Sequence, residues 1–226
     1  MIFIIPALNE ENTLPFLLRR LFSLFPNAEV VVVDDASEDE TARLAATEGA
    51  TVLRLPFRLG YWGALQAGLL YGYRQGHEIF ITMDADGQHP PEETLNILKV
   101  LEESSADIII GACPERGNML KKMAWSFFRI LTGLKVKDLT SGFRAYRRPA
   151  VKILIDVDFL VLDNADLASL IVLHQQGLNI IEVPVKMKDR SLGKSKIFAS
   201  PIKILRYLLF SFILSISKRK FAPWKL

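Results

Sequence analysis

From its first residue to about residue 112 the chain alternates short apolar runs with longer stretches whose apolar positions recur every three or four residues. Residues 1 to 7, Glu29 to Val33, Thr51 to Leu55, Ile79 to Met83 and Asp107 to Ala112 are short runs rich in β-branched residues, and they predict buried strands. Between them, helices are predicted from the Pro6–Asn12 stretch to about Phe25, from Asp39 to Glu48, from Gly60 to about Gln75, and after Pro90-Pro91 with Leu95, Leu98 and Leu101 in step. Asn9 or Asn12 is the expected N-cap of the first. Strands and helices in alternation predict an α/β protein with a mostly parallel central sheet flanked by helices on both faces. Further on, a helix is predicted from Asp163 to Gln176 and a strand from Ile180 to Val185.

The polar residues at the strand ends change the picture. The strand at Ile79 runs into Asp84-Ala85-Asp86-Gly87-Gln88-His89-Pro90, and the one at Glu29 into Asp34-Asp35-Ala36-Ser37. In extended backbone, side chains two apart share a side, so Asp84 and Asp86 present two hard oxygen donors together. A magnesium or manganese ion that keeps some waters and bridges to phosphate suits them, although an isolated Asp-x-Asp is also a common turn. Asp34 and Asp35 stand where a base or ribose would be gripped. The competing role is capping of the next helix, which Ser37 or Asp39 would serve. No glycine-rich phosphate loop follows the first strand, as a dinucleotide fold would require.

Half of the 226 residues are hydrophobic, yet no window reaches the roughly 20 apolar residues of a membrane span. Met1 to Ile5 lacks the basic flank of a signal peptide. The one cysteine, Cys113, forms no internal disulfide, agrees with a reducing compartment and is expected to be a small core residue. Net charge is +3, but from Lys186 onward eleven Lys and Arg face one acid, giving +10, and residues 1 to 185 carry −7. An anionic surface is therefore expected at the basic end. There Ile202, Leu205, Leu208, Leu209, Phe212 and Ile216 share one helical face opposite Lys203, Arg206, Ser217 and Lys218, a pattern suited to lipid rather than nucleic acid. Packing of that helix on the domain or on a membrane-protein subunit is the other reading. Residues 114 to 137 also mix Met119, Met123, Trp125, Phe127 and Phe128 with Lys121, Lys122 and Arg129. They fit either a headgroup-boundary segment or a core helix with a basic edge.

Pro6-Ala7-Leu8-Asn9-Glu10-Glu11, Val33-Asp34-Asp35-Ala36-Ser37, Asp84-Ala85-Asp86-Gly87-Gln88-His89-Pro90 and Thr140-Ser141-Gly142-Phe143-Arg144-Ala145-Tyr146 together resemble the family 2 glycosyltransferases of GT-A fold. The similarity is greatest to their polyprenyl-phosphate, dolichol-phosphate mannose synthase-like branch. It implies a catalytic domain over residues 1–196, with a nucleotide-sugar half at 1–112 and an acceptor half at 113–196, and a membrane-associating amphipathic tail at 197–226. It also implies transfer of a sugar from a nucleotide diphosphate sugar, GDP-mannose or a UDP-sugar, to polyprenyl phosphate at the cytoplasmic membrane face. Transfer to a saccharide or lipid-linked sugar hydroxyl, a sugar nucleotidyltransferase and a non-catalytic membrane partner are the alternatives. By the same resemblance Pro6, Ala7, Asn9, Glu10, Asp34, Asp35, Asp84 and Ala85 would line the nucleotide site. Asp84, Asp86 and Gln88 would hold Mg2+ or Mn2+, and His89 would be a structural neighbour. Arg144 would meet a phosphate, Arg190 and Lys194 would close a basic loop over the diphosphate, and Asp166 is the candidate base. The chain departs from the branch at Arg58-Leu59-Gly60-Tyr61-Trp62-Gly63, where the lysine that would meet a phosphate is absent.

Overall fold

A computed structural model describes residues 1–113, 115, 119–157, 166–187, 209, 212 and 213. Arg190, Lys194, Asp163 and nearly all of the 197–226 tail lie outside the described residues. Seven strands form one sheet: β1 (Ile2–Ala7), β2 (Glu29–Asp34), β3 (Thr51–Arg54), β4 (Ile79–Thr82), β5 (Ile108–Ala112), β6 (Arg144–Arg147) and β7 (Ile180–Pro184). Their spatial order is β3-β2-β1-β4-β6-β5-β7. β6 pairs antiparallel with both β4 and β5, whereas the other pairings are parallel. The helices are α1 (Leu14–Leu24), α2 (Thr41–Thr47), α3 (Gly60–Arg74), α4 (Glu93–Glu103), α5 (Met119–Thr132), α6 (Arg148–Asp156) and α7 (Asp166–Gln175).

Alternation along each strand divides the core. Ile2, Ile4, Val31 and Val33 face one layer with residues of α3, α5, α6 and α7, and Phe3, Ile5, Val30 and Val32 face the other with residues of α1, α2 and α4. Burial on both faces is what parallel strands of near-continuous apolar sequence require. α3 comes closest to the sheet: a Cβ on Gly68 would sit 2.4 Å from Ile4 Cγ2 and 2.9 Å from Val33 Cγ2.

Two local expectations are corrected. Thr13, not Asn9 or Asn12, is the N-cap residue of α1, because Asn9 adopts φ 55° and turns its Oδ1 to accept the Glu38 N–H. On α4 the buried stripe is Thr94, Ile97 and Leu101, while Leu95 points outward. Arg144 opens strand β6, where the backbone of Arg144–Arg147 is claimed by neighbours on both sides.

Candidate active site

The register sets which residues meet. Ala7 is level with Asp34, Ile4 with Thr82, and Thr82 and Ile110 with Arg144. Thus the segments leaving β1, β2 and β4 and the segment entering β6 share one rim, beside the β1/β4 position where strand order reverses. Crevices of open α/β sheets form at such reversals.

The β1 and β2 loops are stitched together at that rim. The Asn9, Glu10 and Glu11 N–H groups donate to Ser37 Oγ, Thr41 Oγ1 and Asp39 Oδ2 at 3.0, 2.8 and 3.2 Å. Asn9 and Ala36 both lie in the left-handed region, at φ 55° and 57°. Backbone strain of that kind is held only where neighbours over-determine it, and it clusters at functional sites. Pro6 and Ala7 remain inside β1 with buried side chains, and Ala7 O accepts the Asp35 N–H at 2.9 Å. They shape the rim through the backbone.

Asp84 and Asp86 follow β4, both half-buried. Asp86 Oδ1 accepts the Gln88 N–H at 3.0 Å, and the Asp84 N–H donates to His89 Nδ1 at 3.1 Å. His89 is buried and stacked on Phe143, with ring centres 5.1 Å apart, so it acts as a brace. Ala85 is buried, and its carbonyl accepts the Thr13 hydroxyl at 3.0 Å, tying the aspartate loop to the start of α1. From β6's side, Gly142 presses on the same loop: a Cβ there would lie 2.9 Å from Asp84 Oδ1. Thr82 Oγ1 holds Gly142 by donating to its carbonyl at 2.7 Å.

The Glycosyl transferase family 2 model matches residues 2–155, well over half of the chain. The chain belongs to glycosyl transferase family 2. This glycosyltransferase is 33% identical over 220 residues to the polyprenol monophosphomannose synthase of Mycolicibacterium smegmatis, covering 88% of this chain and 82% of that one. It is 34% identical over 210 residues to the undecaprenyl-phosphate mannosyltransferase of Micrococcus luteus, covering 85% of each. Among solved structures, the glucosyl-3-phosphoglycerate synthase of Mycobacterium tuberculosis with Mn2+, UDP and phosphoglyceric acid superposes with a TM-score of 0.64. That match has 20% identity and covers 98% of this chain and 78% of the other, which establishes the shared fold.

Several side chains expected at the site already have partners within the fold. Arg144 does not offer its guanidinium to a phosphate: it is 1% exposed and donates to Ser141 O, Ser169 Oγ and Asp166 O at 2.7, 3.0 and 3.2 Å. Burial opposes its charge, but Tyr146 and Asp166 outweigh that and hold its pKa above the ordinary value. Asp166 is buried in the first turn of α7 with Oδ1 4.0 Å from Arg144 Nη2. Asp35 is no free acceptor either, because its two oxygens take the Leu59 and Gly60 N–H groups at 2.7 and 3.0 Å and cap α3. Asp34 is fully buried, with Oδ1 accepting the Ser37 N–H and Oδ2 3.5 Å from Arg54 Nε. Cys113 is half-buried rather than a core residue.

Thr13 donates to the carbonyl of Ala85, and Gly142 packs against both Asp84 and the Tyr61 hydroxyl, three neighbours of the aspartate loop that sequence reasoning did not place there. Each acts through a contact spanning tens of residues, and only Gly142 carried a signal, its place inside the Thr140–Tyr146 motif.

Proposed function

We propose that the protein transfers one sugar from a nucleotide diphosphate sugar, GDP-mannose or a UDP-sugar, to a polyprenyl phosphate at the cytoplasmic face of a membrane. The observation that carries this reading is the half-exposed pair Asp84 and Asp86 at the β4 rim, with the Asp84 carboxylate backed closely by Gly142. The names of the two mannosyltransferase relatives supply the acceptor class.

The donor set fits Mg2+ or Mn2+. Asp84 and Asp86 would hold the ion, with the Gln88 amide oxygen as a third hard ligand. Among the described residues no group of three or more His, Cys, Asp and Glu gathers into a cage, which suits an ion completed by diphosphate and water. When bound, such an ion offsets charge on the departing diphosphate. Asn9, Glu10 and Ala85 would frame the nucleotide from the stitched β1 and β2 loops and the aspartate loop, and Asp34, Asp35 and the backbone of Pro6 and Ala7 would fix that frame. Arg190 and Lys194 would add positive charge over the diphosphate.

An acceptor phosphate oxygen forms the new bond to the anomeric carbon as the bond to the diphosphate breaks, on opposite faces of the sugar. A phosphate monoester with a second pKa near ~6 is largely ionised at pH 7 and needs no base. Asp166, already committed to Arg144, is therefore free of that duty.

The test is transfer from GDP-mannose and UDP-sugars to polyprenyl phosphate, with Mn2+ or with chelator. Product should form only with metal, and Asp86→Ala and Arg190→Ala should each lower turnover by about 100-fold or more. Asp166→Ala should stay within a few-fold of wild type once its folding is verified. Abolition by Asp166→Ala alone, with full stability retained, would replace the phosphate acceptor by a hydroxyl one.

A further inference from the structure

The stretch Arg58–Gly63 is left without a role by the transfer reaction, and Tyr61 within it reaches the aspartate loop. Tyr61 stands in the first turn of α3, whose N-terminus Asp35 caps. Its hydroxyl is buried and has no hydrogen-bond partner among the described residues. A Cβ on Gly142 would lie 2.6 Å from that hydroxyl and 2.9 Å from Asp84 Oδ1, so the two oxygens are separated by no more than the sum of those distances. The phenol and the carboxylate thus meet at the same glycine.

A buried phenol without an acceptor is a cost to folding, and native proteins leave few such groups unmade. Burial, and after it the charges of Asp84 and Asp166, push the Tyr61 phenol well above its ordinary pKa. A phenol, with its ordinary pKa near ~10, is a hydrogen-bond donor at pH 7. Arg144 cannot accept its proton, and the negative charges nearest to it are carboxylates, of which Asp84 shares the Gly142 contact.

We propose that Tyr61 is a positioning residue of the donor site: its hydroxyl donates to the Asp84 carboxylate when that carboxylate turns to hold the cation, and so fixes which lone pairs face the ion. This rests on the reading of Asp84 as a metal ligand. Hydrogen-bond partners of ligating carboxylates orient them, and their loss typically costs 10 to 100-fold in metal affinity or activity. The missing Cβ at position 142 is a condition of the same arrangement, since a methyl there would wedge between the two oxygens.

The experiment titrates Mn2+ calorimetrically into the full chain saturated with GDP or UDP, for wild type, Tyr61→Phe, Gly142→Ala, the double variant and Asp84→Asn. Tyr61→Phe should weaken Mn2+ binding by about 10-fold and raise the Mn2+ KM while leaving kcat at saturating metal nearly unchanged. Its metal-free melting temperature should be equal to or above wild type, because the deleted hydroxyl bonds nothing in that state. Gly142→Ala should weaken Mn2+ binding less in the Tyr61→Phe background than alone, since the shortest clash, at 2.6 Å, is with the deleted oxygen. An unchanged Mn2+ Kd in Tyr61→Phe, with Mn2+ binding lost in Asp84→Asn, overturns the role of Tyr61 and leaves Asp84 in place. Wild-type nucleotide binding that is indifferent to Mn2+ overturns the metal reading, and this inference with it.

Discussion

At the scale of single residues, Arg144 shows how a buried charge is kept. Its guanidinium donates into the Ser141–Gly142 turn and into the first turn of α7, so one side chain fixes both the glycine against Asp84 and the start of α7. Removing one member of a buried ion pair leaves the other uncompensated, at a cost of about 3–5 kcal/mol. Arg144→Met should lose roughly that much stability in urea unfolding, whereas a phosphate-contact residue would lose activity without stability. Asp39 carries a milder effect. Burial raises its pKa, but the hydrogen bonds it accepts from the Thr41 hydroxyl and from the Thr41 and Glu11 N–H groups outweigh that and depress it. A depressed carboxylate contributes stability above its unfolded pKa of about 3.9 and loses it as pH falls through the folded value. The stability gap between wild type and Asp39→Asn should therefore be open at pH 7 and narrow toward pH 3 in denaturant titrations.

Among elements, α3 is the one whose sequence argues against itself. Interior glycine costs a helix about 1 kcal/mol relative to alanine, and α3 carries Gly63, Gly68 and Gly72. Packing reverses the sign at Gly68, where an added Cβ meets fully buried Ile4 and Val33 in strands that are held on both sides. Overpacking of this kind costs about 1–3 kcal/mol, so Gly68→Ala should be destabilising in thermal or urea unfolding despite its gain in helix propensity. The same close approach brings Tyr61 under Gly142. β6 is set by tertiary demand as well: Arg144-Ala145-Tyr146-Arg147 has no apolar run, and Arg147 spends its side chain on the carbonyls of Leu101 and Ala106.

For the whole molecule, the open question of α5 resolves into two faces. Trp125 and Phe128 pack in the core, while Met119, Met123, Phe127 and Ile130 form an outward stripe, with Met119 and Ile130 80% and 86% exposed. Phe212 stacks on Phe127 at 6.4 Å, and Leu209, Phe212 and Ile213 are exposed beside it. Among the described residues no helix is long and apolar enough to cross a membrane. We infer that this outward stripe, with exposed Lys122 next to Met123, meets an anionic leaflet, where each nearby Lys or Arg contributes about 1 kcal/mol. Binding to vesicles of phosphatidylcholine with phosphatidylglycerol should weaken in Phe127→Glu and Met123→Glu and on raising salt, with nucleotide binding in solution unchanged. Flotation measures this, and equal binding by the variants would assign the face to a protein partner.

The apolar runs, their alternation with helical periods and the aspartates at two strand ends were legible from the chain alone, because they follow from local periodicity and residue chemistry. The family was legible for the same reason, since its motifs are short and contiguous. Which aspartates remain open was decided only by tertiary structure. Asp34, Asp35 and Asp84 look alike in sequence, but Asp35 caps a helix that begins 25 residues later, Asp34 is sealed, and Asp84 stands at the rim. The withdrawal of Arg144, the reversal of β6 and the meeting of Tyr61 with Gly142 arise from backbone pairing and packing between segments 22 to 81 residues apart, a separation at which local periodicity carries no information.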